Sequence, residues 1–334
     1  MRANIPIIDA HMHVSPASVE QVVRIMDSNN IEAMVDMTPS LSIPLLEKDF
    51  PGPFTLGEKL EAFSKFPGRF IPFCGINFEG FGTEGWLERE KNTLARHVEA
   101  GAIGVKLWKT LGLQVVDNEG KVVTVDDERL APLLEYAQEL GCILCFHVAD
   151  PQAFFEALTP DNPRWDTLQT HPHWWFGDRE RYPYGWWQII KQLERVIARH
   201  RKGTIVGAHF GCAVEEIDYT ADLMRQHPHY VIDIAARLAD IGEHDPSYIT
   251  DIFTEFQDRI LFATDLAFKY PIPAERARHA QSTWHKYRAY FETTGEEMAS
   301  PSRPPNGKMN GVGLSSDILE KLYHRNARQY FVDR

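Results

Sequence analysis

The chain has 334 residues, of which 43% are hydrophobic and 25% charged, and a formal net charge of -12. This is the composition of a globular protein with a large core, and its scattered acidic charge argues against a nucleic-acid groove or an anionic membrane surface as the main partner. No window approaches the ~18 consecutive apolar residues of a membrane helix, and no basic stretch followed by a long apolar run opens the sequence.

Taken in chain order, short apolar runs alternate with segments of helical period. The first run is "IPIIDAHMH" (5–13), followed by "SVEQVVRIMDSNN", where Val19, Val22, Val23 and Met26 share one face. "EAMVDMT" (32–38), "RFIPFCGIN" (69–77), "AIGVKLWK" (102–109), "CILCFHVA" (142–149), "TIVGAHFG" (204–211), "YVIDIAA" (230–236) and "RILFATD" (259–265) complete a set of eight. The helices expected between them include "TEGWLEREKNTLARHVEAG", "DDERLAPLLEYAQELG", "WWQIIKQLERVIARH", "AVEEIDYTADLMRQH" and "DPSYITDIFTEFQD", with "SSDILEKLYHRNARQYF" last. Eight strand-helix units with near-continuously apolar strands predict an α/β protein, a (β/α)8 TIM barrel forming one domain over 1–334. Two segments break the rhythm, 150–187 after the fifth strand and the Pro- and Gly-rich 266–314 after the eighth. Both are expected as lid insertions on the face where barrel active sites are built.

The four cysteines are Cys74, Cys142, Cys145 and Cys212. Cys142 and Cys145 have redox-motif spacing, but residues three apart on a strand point to opposite faces. Buried thiols in a reducing cytoplasm are the expectation.

Polar residues interrupt these strands at their C-terminal ends. His11 and His13 end the first, Lys106 lies late in the fourth, His147 ends the fifth, His209 the sixth and Asp265 the eighth. Residues i and i+2 of a strand share a face, so His11 and His13 can point the same way. Two imidazoles on one rigid strand suit Zn²⁺ or another divalent transition metal. Asp265, His147 and His209 would complete a nitrogen and oxygen donor set. Alone, a strand-end histidine is more often a hydrogen-bonded core residue, Lys106 a salt-bridge partner and Asp265 a helix cap. Six such residues on five strands, all at one end, favour a metal site.

Two other His-x-His pairs compete. His227 and His229 precede the seventh strand, at the opposite end. His171 and His173 lie in the first insertion, where Pro172 fixes a loop rather than a strand.

At the strand-end residues the sequence resembles the amidohydrolase superfamily of metal-dependent (β/α)8 barrels. The matching segments are "DAHMH", "VKLWK", "CFHVADP", "AHFG" and "FATD", spanning residues 7 to 265, and "NARQYF" resembles the closing helix. "AHFG" and "DRILFATD" look most like the branch containing aminocarboxymuconate-semialdehyde decarboxylase and related lactonases and hydratases. The resemblance implies two alternatives at Lys106. In a binuclear site Lys106 would be carbamylated and bridge two ions, with His11, His13 and Asp265 on one and His147 and His209 on the other. In a mononuclear site, the favoured one, His11, His13, His147 and Asp265 would hold one ion. His209 would then act as base and Lys106 would bind a substrate carboxylate.

The expected activity is hydrolysis of a C–N or C–O bond of a small, carboxylated substrate by metal-activated water, with Asp265 or His209 taking the proton. A non-oxidative decarboxylase is the alternative, and a barrel without catalysis ranks last because none of the six positions is missing. Arg237, after the seventh strand, suits bidentate binding of a substrate carboxylate, or a salt bridge to Asp240 or Glu243. The insertion 165–187 holds five tryptophans among tyrosines and arginines. His173 and Trp174 are its candidate substrate contacts, and a homodimer contact is the other use of such aromatics.

Overall fold

The computed structural model describes residues 5–39, 51–300 and 307–334. Along the chain its elements are β1 (Ile7–Val14), α1 (Val19–Ser28), β2 (Ile31–Asp36), α2 (Leu56–Phe63), β3 (Phe70–Cys74), α3 (Trp86–Glu99) and β4 (Gly104–Leu107). There follow α4 (Ala131–Glu139), β5 (Ile143–Phe146), α5 (Trp165–Thr170), α6 (Trp186–Arg199), β6 (Ile205–Gly207), α7 (Ile217–Gln226) and β7 (Tyr230–Asp233). The last are α8 (Pro246–Glu255), β8 (Ile260–Leu261), β9 (Leu266–Phe268), α9 (Ala274–Glu292), β10 (Thr294–Ala299), β11 (Lys308–Val312) and α10 (Ser316–Glu320). Eight strands alternate with helices in the order of a (β/α)8 barrel, the fold class expected.

The chain falls into two compact units. The first comprises Met1–Ser42, Leu46–Phe73 and Val231–Arg334. Here β1 pairs in parallel with β2 on one side and β9 on the other, with His13 opposite Ala267. β2 pairs with β3, and β7 with β8. All eight residues of β1 are buried, as a parallel strand covered on both faces requires. α1 forms where the helical spacing of its apolar residues predicts, with Val19, Val22, Val23 and Met26 buried.

The second unit, Cys74–Tyr230, pairs β4 with β5 and β5 with β6, placing Lys106 opposite Cys145. α6 buries Trp186, Ile189, Ile190, Leu193, Val196 and Ile197. The four cysteines are buried thiols.

Three features depart from the expected pattern. α2 is an additional helix, opened by a Thr55–Glu58 capping box. Its buried face includes Lys59, whose amine is 2.8 Å from the buried Asp36 carboxylate and donates to the Thr38 and Phe73 carbonyls at 3.1 Å each. The segment 266–314, expected as a Pro- and Gly-rich lid insertion, contains β9, the 19-residue α9 and the antiparallel β10–β11 pair. α9 forms because Ala280, Trp284, Tyr287 and Phe291 recur at helical spacing and are buried. Finally, β6 stops at Gly207, so His209 lies beyond the strand it was expected to end. Among the described residues, no helix is long and apolar enough to cross a membrane.

Candidate metal centre

His11 and His13 sit on β1 with ring centroids 5.4 Å apart, both fully buried. Asp265 follows β8 in left-handed backbone (φ 63°), and its N–H donates to the His11 carbonyl at 2.9 Å. That bond ties the segment carrying Asp265 to β1 and brings its carboxylate to the histidines. Asp265 Oδ1 is 3.0 Å from His13 Nε2 and 3.7 Å from His11 Nε2. One ligand atom from each of the three residues lies within 4.8 Å of the others.

The other nitrogen of His11 is also committed. Nδ1 lies 2.9 Å from Asp233 Oδ2, both side chains being buried, and Asp233 Oδ1 accepts the Ala235 N–H at 3.0 Å. With Nδ1–H donating to Asp233, the neutral ring presents its Nε2 lone pair on the side of Asp265. This carboxylate–histidine arrangement is the usual support of a metal-ligating imidazole. Two buried imidazoles and a partly exposed carboxylate oxygen, convergent on one another, fit a borderline divalent cation that an outside molecule can reach.

Asp9 braces the same residues. Its fully buried carboxylate accepts from the Thr264 N–H (3.0 Å), the Thr264 hydroxyl (2.6 Å) and the Trp284 indole N–H (2.9 Å). Burial pushes its pKa up to about 6, against the lowering effect of those donors. Arg237, just past β7, lies with Nη1 3.2 Å from the Ala236 carbonyl and 4.0 Å from Asp240 Oδ2. Asp240 is one of the salt-bridge partners the sequence offered it.

The remaining expected residues belong to the second unit. Lys106 is buried on β4, its amine 3.7 Å from Cys145 Sγ and 5.4 Å from the centre of the Trp108 ring. His147 follows β5 and meets His209 edge to face at 4.2 Å between ring centroids. His209 occupies a turn in which it, Phe210, Gly211 and Cys212 all have positive φ, a costly backbone for non-glycine residues that favours functional positions. The Tyr230 hydroxyl packs against both Gly207 and Gly211, where any side chain would collide with it.

The second unit also holds a polar pair that sequence reasoning missed. Lys109 and Asp150 form a buried ion pair, and Asp150 Oδ1 is 3.5 Å from His147 Nε2. The Lys109 amine lies 5.8 Å from the centre of the Trp174 ring and 5.6 Å from that of Phe176. Trp174 stacks on His171 at 4.1 Å, and His173 meets its edge at 5.7 Å. His171 and His173 thus belong to an aromatic cluster. His229 bonds the Ile197 carbonyl at 3.0 Å.

Asp9, Lys109, Asp150 and Asp233 were not singled out from sequence. Asp9 and Asp233 carry a signal of the same kind as the others, a polar residue interrupting an apolar run.

Comparison with known proteins follows this geometry. The amidohydrolase family model matches residues 8–331. A dihydroorotase from Helicobacter pylori is 32% identical over 141 residues, 42% of this chain, and the match spans little more than a third of that protein (37%). A solved 2,6-dihydroxybenzoate decarboxylase complexed with 2,6-dihydroxybenzoate is similar in fold, with TM-score 0.57, 15% identity, and coverage of 98% of this chain and 99% of that one. So is a 5-carboxyvanillate decarboxylase from Novosphingobium aromaticivorans with bound manganese and 3-methoxy-4-hydroxy-5-nitrobenzoic acid, with TM-score 0.53, 14% identity and coverage of 99% and 98%. The family is metal-dependent, and the match over almost the whole length establishes that this chain belongs to the amidohydrolase family.

Proposed function

We propose that the chain is a metal-dependent enzyme acting on a small carboxylated molecule, and that its reaction is non-oxidative decarboxylation. The convergence of one ligand atom each from His11, His13 and Asp265, all within 4.8 Å of one another, carries the metal part of this reading. These three residues would hold one ion, zinc or another divalent transition metal. When bound, the ion supplies a Lewis acid that polarises a ligand oxygen and neutralises negative charge.

The chain's own residues supply the rest. Asp233 keeps His11 in the tautomer whose Nε2 accepts a cation. Breaking the bond to the carboxyl group leaves its electron pair on the substrate carbon, which must take up one proton as carbon dioxide departs. His209 is the proposed proton carrier, the role that the family resemblance gives it when one ion is bound. With one ion, Lys106 is proposed to stay uncarbamylated and to offer a point charge to a substrate carboxylate.

Decarboxylation is placed first because the two decarboxylases are covered over at least 98% of their length. Hydrolysis, which the sequence placed first, is the second reading. It is favoured by the dihydroorotase stretch. The deciding experiment incubates the metal-loaded protein with hydroxylated benzoic acids, lactones and cyclic amides, following carbon dioxide release and ¹⁸O uptake from labelled water. Carbon dioxide release without ¹⁸O in the product is the expected result. Label incorporation without carbon dioxide would establish the hydrolase instead.

A further inference from the structure

Arg276 sits on the first turn of α9, eleven residues after Asp265 in the first unit. Its Nε–H donates to the Ala267 carbonyl at 3.0 Å. Ala267 is the residue of β9 that pairs with His13 of β1. The guanidinium is therefore tethered beside the strand pair that carries a proposed metal ligand. It is partly buried, which lowers its pKa, and the Asp265 carboxylate opposes that lowering. Yet among the described residues no carboxylate lies within ion-pair distance of it.

That combination is unusual. Arginine heads are rarely withdrawn from water without a counter-ion, because desolvating an unpaired cation is costly. The tether occupies Nε and leaves the paired Nη1 and Nη2 edge, whose parallel N–H groups match the two oxygens of a carboxylate. Arg237, the arginine expected from sequence to play this part, has Asp240 4.0 Å away and a backbone carbonyl at 3.2 Å.

We propose that Arg276 is a substrate-binding, specificity-determining residue that grips a carboxylate of the substrate through its Nη edge. This rests on the reading of the substrate as carboxylated, but not on which reaction follows. It assigns the chain a preference for acids over their neutral amides.

The test measures binding of benzoate and of its neutral analogue benzamide by calorimetry, with metal content determined for every variant. The wild-type protein is expected to bind benzoate more tightly than benzamide. Arg276→Gln should lose about ten- to a hundredfold in benzoate affinity, the scale of hydrogen bonds to a charged group, with benzamide binding and metal content unchanged. Arg276→Lys should recover part of the loss, since a point charge replaces the planar fork. Arg237→Gln should change neither ligand.

The proposal is overturned if Arg276→Gln binds benzoate like the wild type, if Arg237→Gln takes the loss instead, or if Arg276→Gln sheds metal along with benzoate. Equal wild-type affinity for benzoate and benzamide would overturn it together with the carboxylated-substrate reading. Absence of carbon dioxide release with these binding results intact would remove only the decarboxylase assignment.

Discussion

His11 and Asp233 are 222 positions apart in sequence, yet His11 Nδ1 lies 2.9 Å from Asp233 Oδ2 with both side chains out of solvent. One fully buried carboxylate thereby decides which nitrogen of a proposed metal ligand carries the proton. Asp233 is itself fixed by the Ala235 N–H at 3.0 Å, so the ring has a rigid partner.

Asp233→Ala should weaken metal binding by about ten- to a hundredfold, the usual cost of losing a carboxylate behind a ligating histidine. Competition with a chromogenic chelator measures this directly, without any substrate. Asp233→Asn should also weaken it, because the amide can offer N–H to Nδ1 and so favour the wrong tautomer. Wild-type metal affinity in both variants would show that His11 does not ligate through Nε2.

Asp9 makes a prediction about stability rather than affinity. Asp9→Ala would leave the Thr264 N–H, the Thr264 hydroxyl and the Trp284 N–H without their acceptor. A buried donor without a partner costs about 1–3 kcal/mol, so urea unfolding should show a loss of about 3 kcal/mol or more. Trp284→Phe removes a single donor and should cost less through this bond, although it also changes packing. Because Thr264 precedes Asp265, Asp9→Ala should also lower metal affinity, whereas a loss of stability alone would confine Asp9 to bracing the fold.

These two residues show what the sequence made legible. The His-x-His pair on β1 could be read because a strand has period two, and the other strand-end residues because each interrupts an apolar run. Asp233 lies in "VIDIAA", where attention went to Arg237, and nothing local marks a partner 222 positions away. Helix α2 was hidden because its buried face includes Lys59, a residue that ordinarily signals solvent. Helix α9 was hidden by the arginines, histidines and lysine that surround Trp284 and Tyr287. The turn bearing His209 carries no local signal, because non-glycine residues adopt positive φ only where packing imposes it.

That packing can be tested at Gly207. A methyl group there would meet the Tyr230 hydroxyl and come within 2.9 Å of the Gly211 Cα. Overpacking of this kind costs about 1–3 kcal/mol. Gly207→Ala should therefore lower the melting temperature and displace the His209 turn, visible as a changed His209 ring signal in NMR. Gly203→Ala is the control, since its nearest neighbour would be the Gln138 amide nitrogen at 3.4 Å, an ordinary van der Waals contact. Equal melting temperatures for the two variants would mean that Tyr230 does not hold the turn.

The histidines of the second unit predict a pH dependence whose sign follows from burial. His200, His227 and His229 all have pKa values lowered from 6.5, with burial the largest cause in each. The unfolded chain takes up protons on these residues near pH 6.5, whereas the folded chain resists until the pH is lower. Their contribution to stability is thus complete above pH 6.5 and lost as pH falls from there through the lowered folded values. Asp9 acts in the opposite sense, since a carboxyl raised from 3.8 to about 6 gives stability below pH 3.8 that is lost as pH rises through 6. Melting temperatures of the wild type and of the His200→Gln, His227→Gln double variant between pH 7.5 and 5 separate the two effects. The wild type should lose more stability than the variant over that interval, because Asp9 is common to both. Parallel curves would mean that these two histidines protonate as readily in the folded protein as in the unfolded chain.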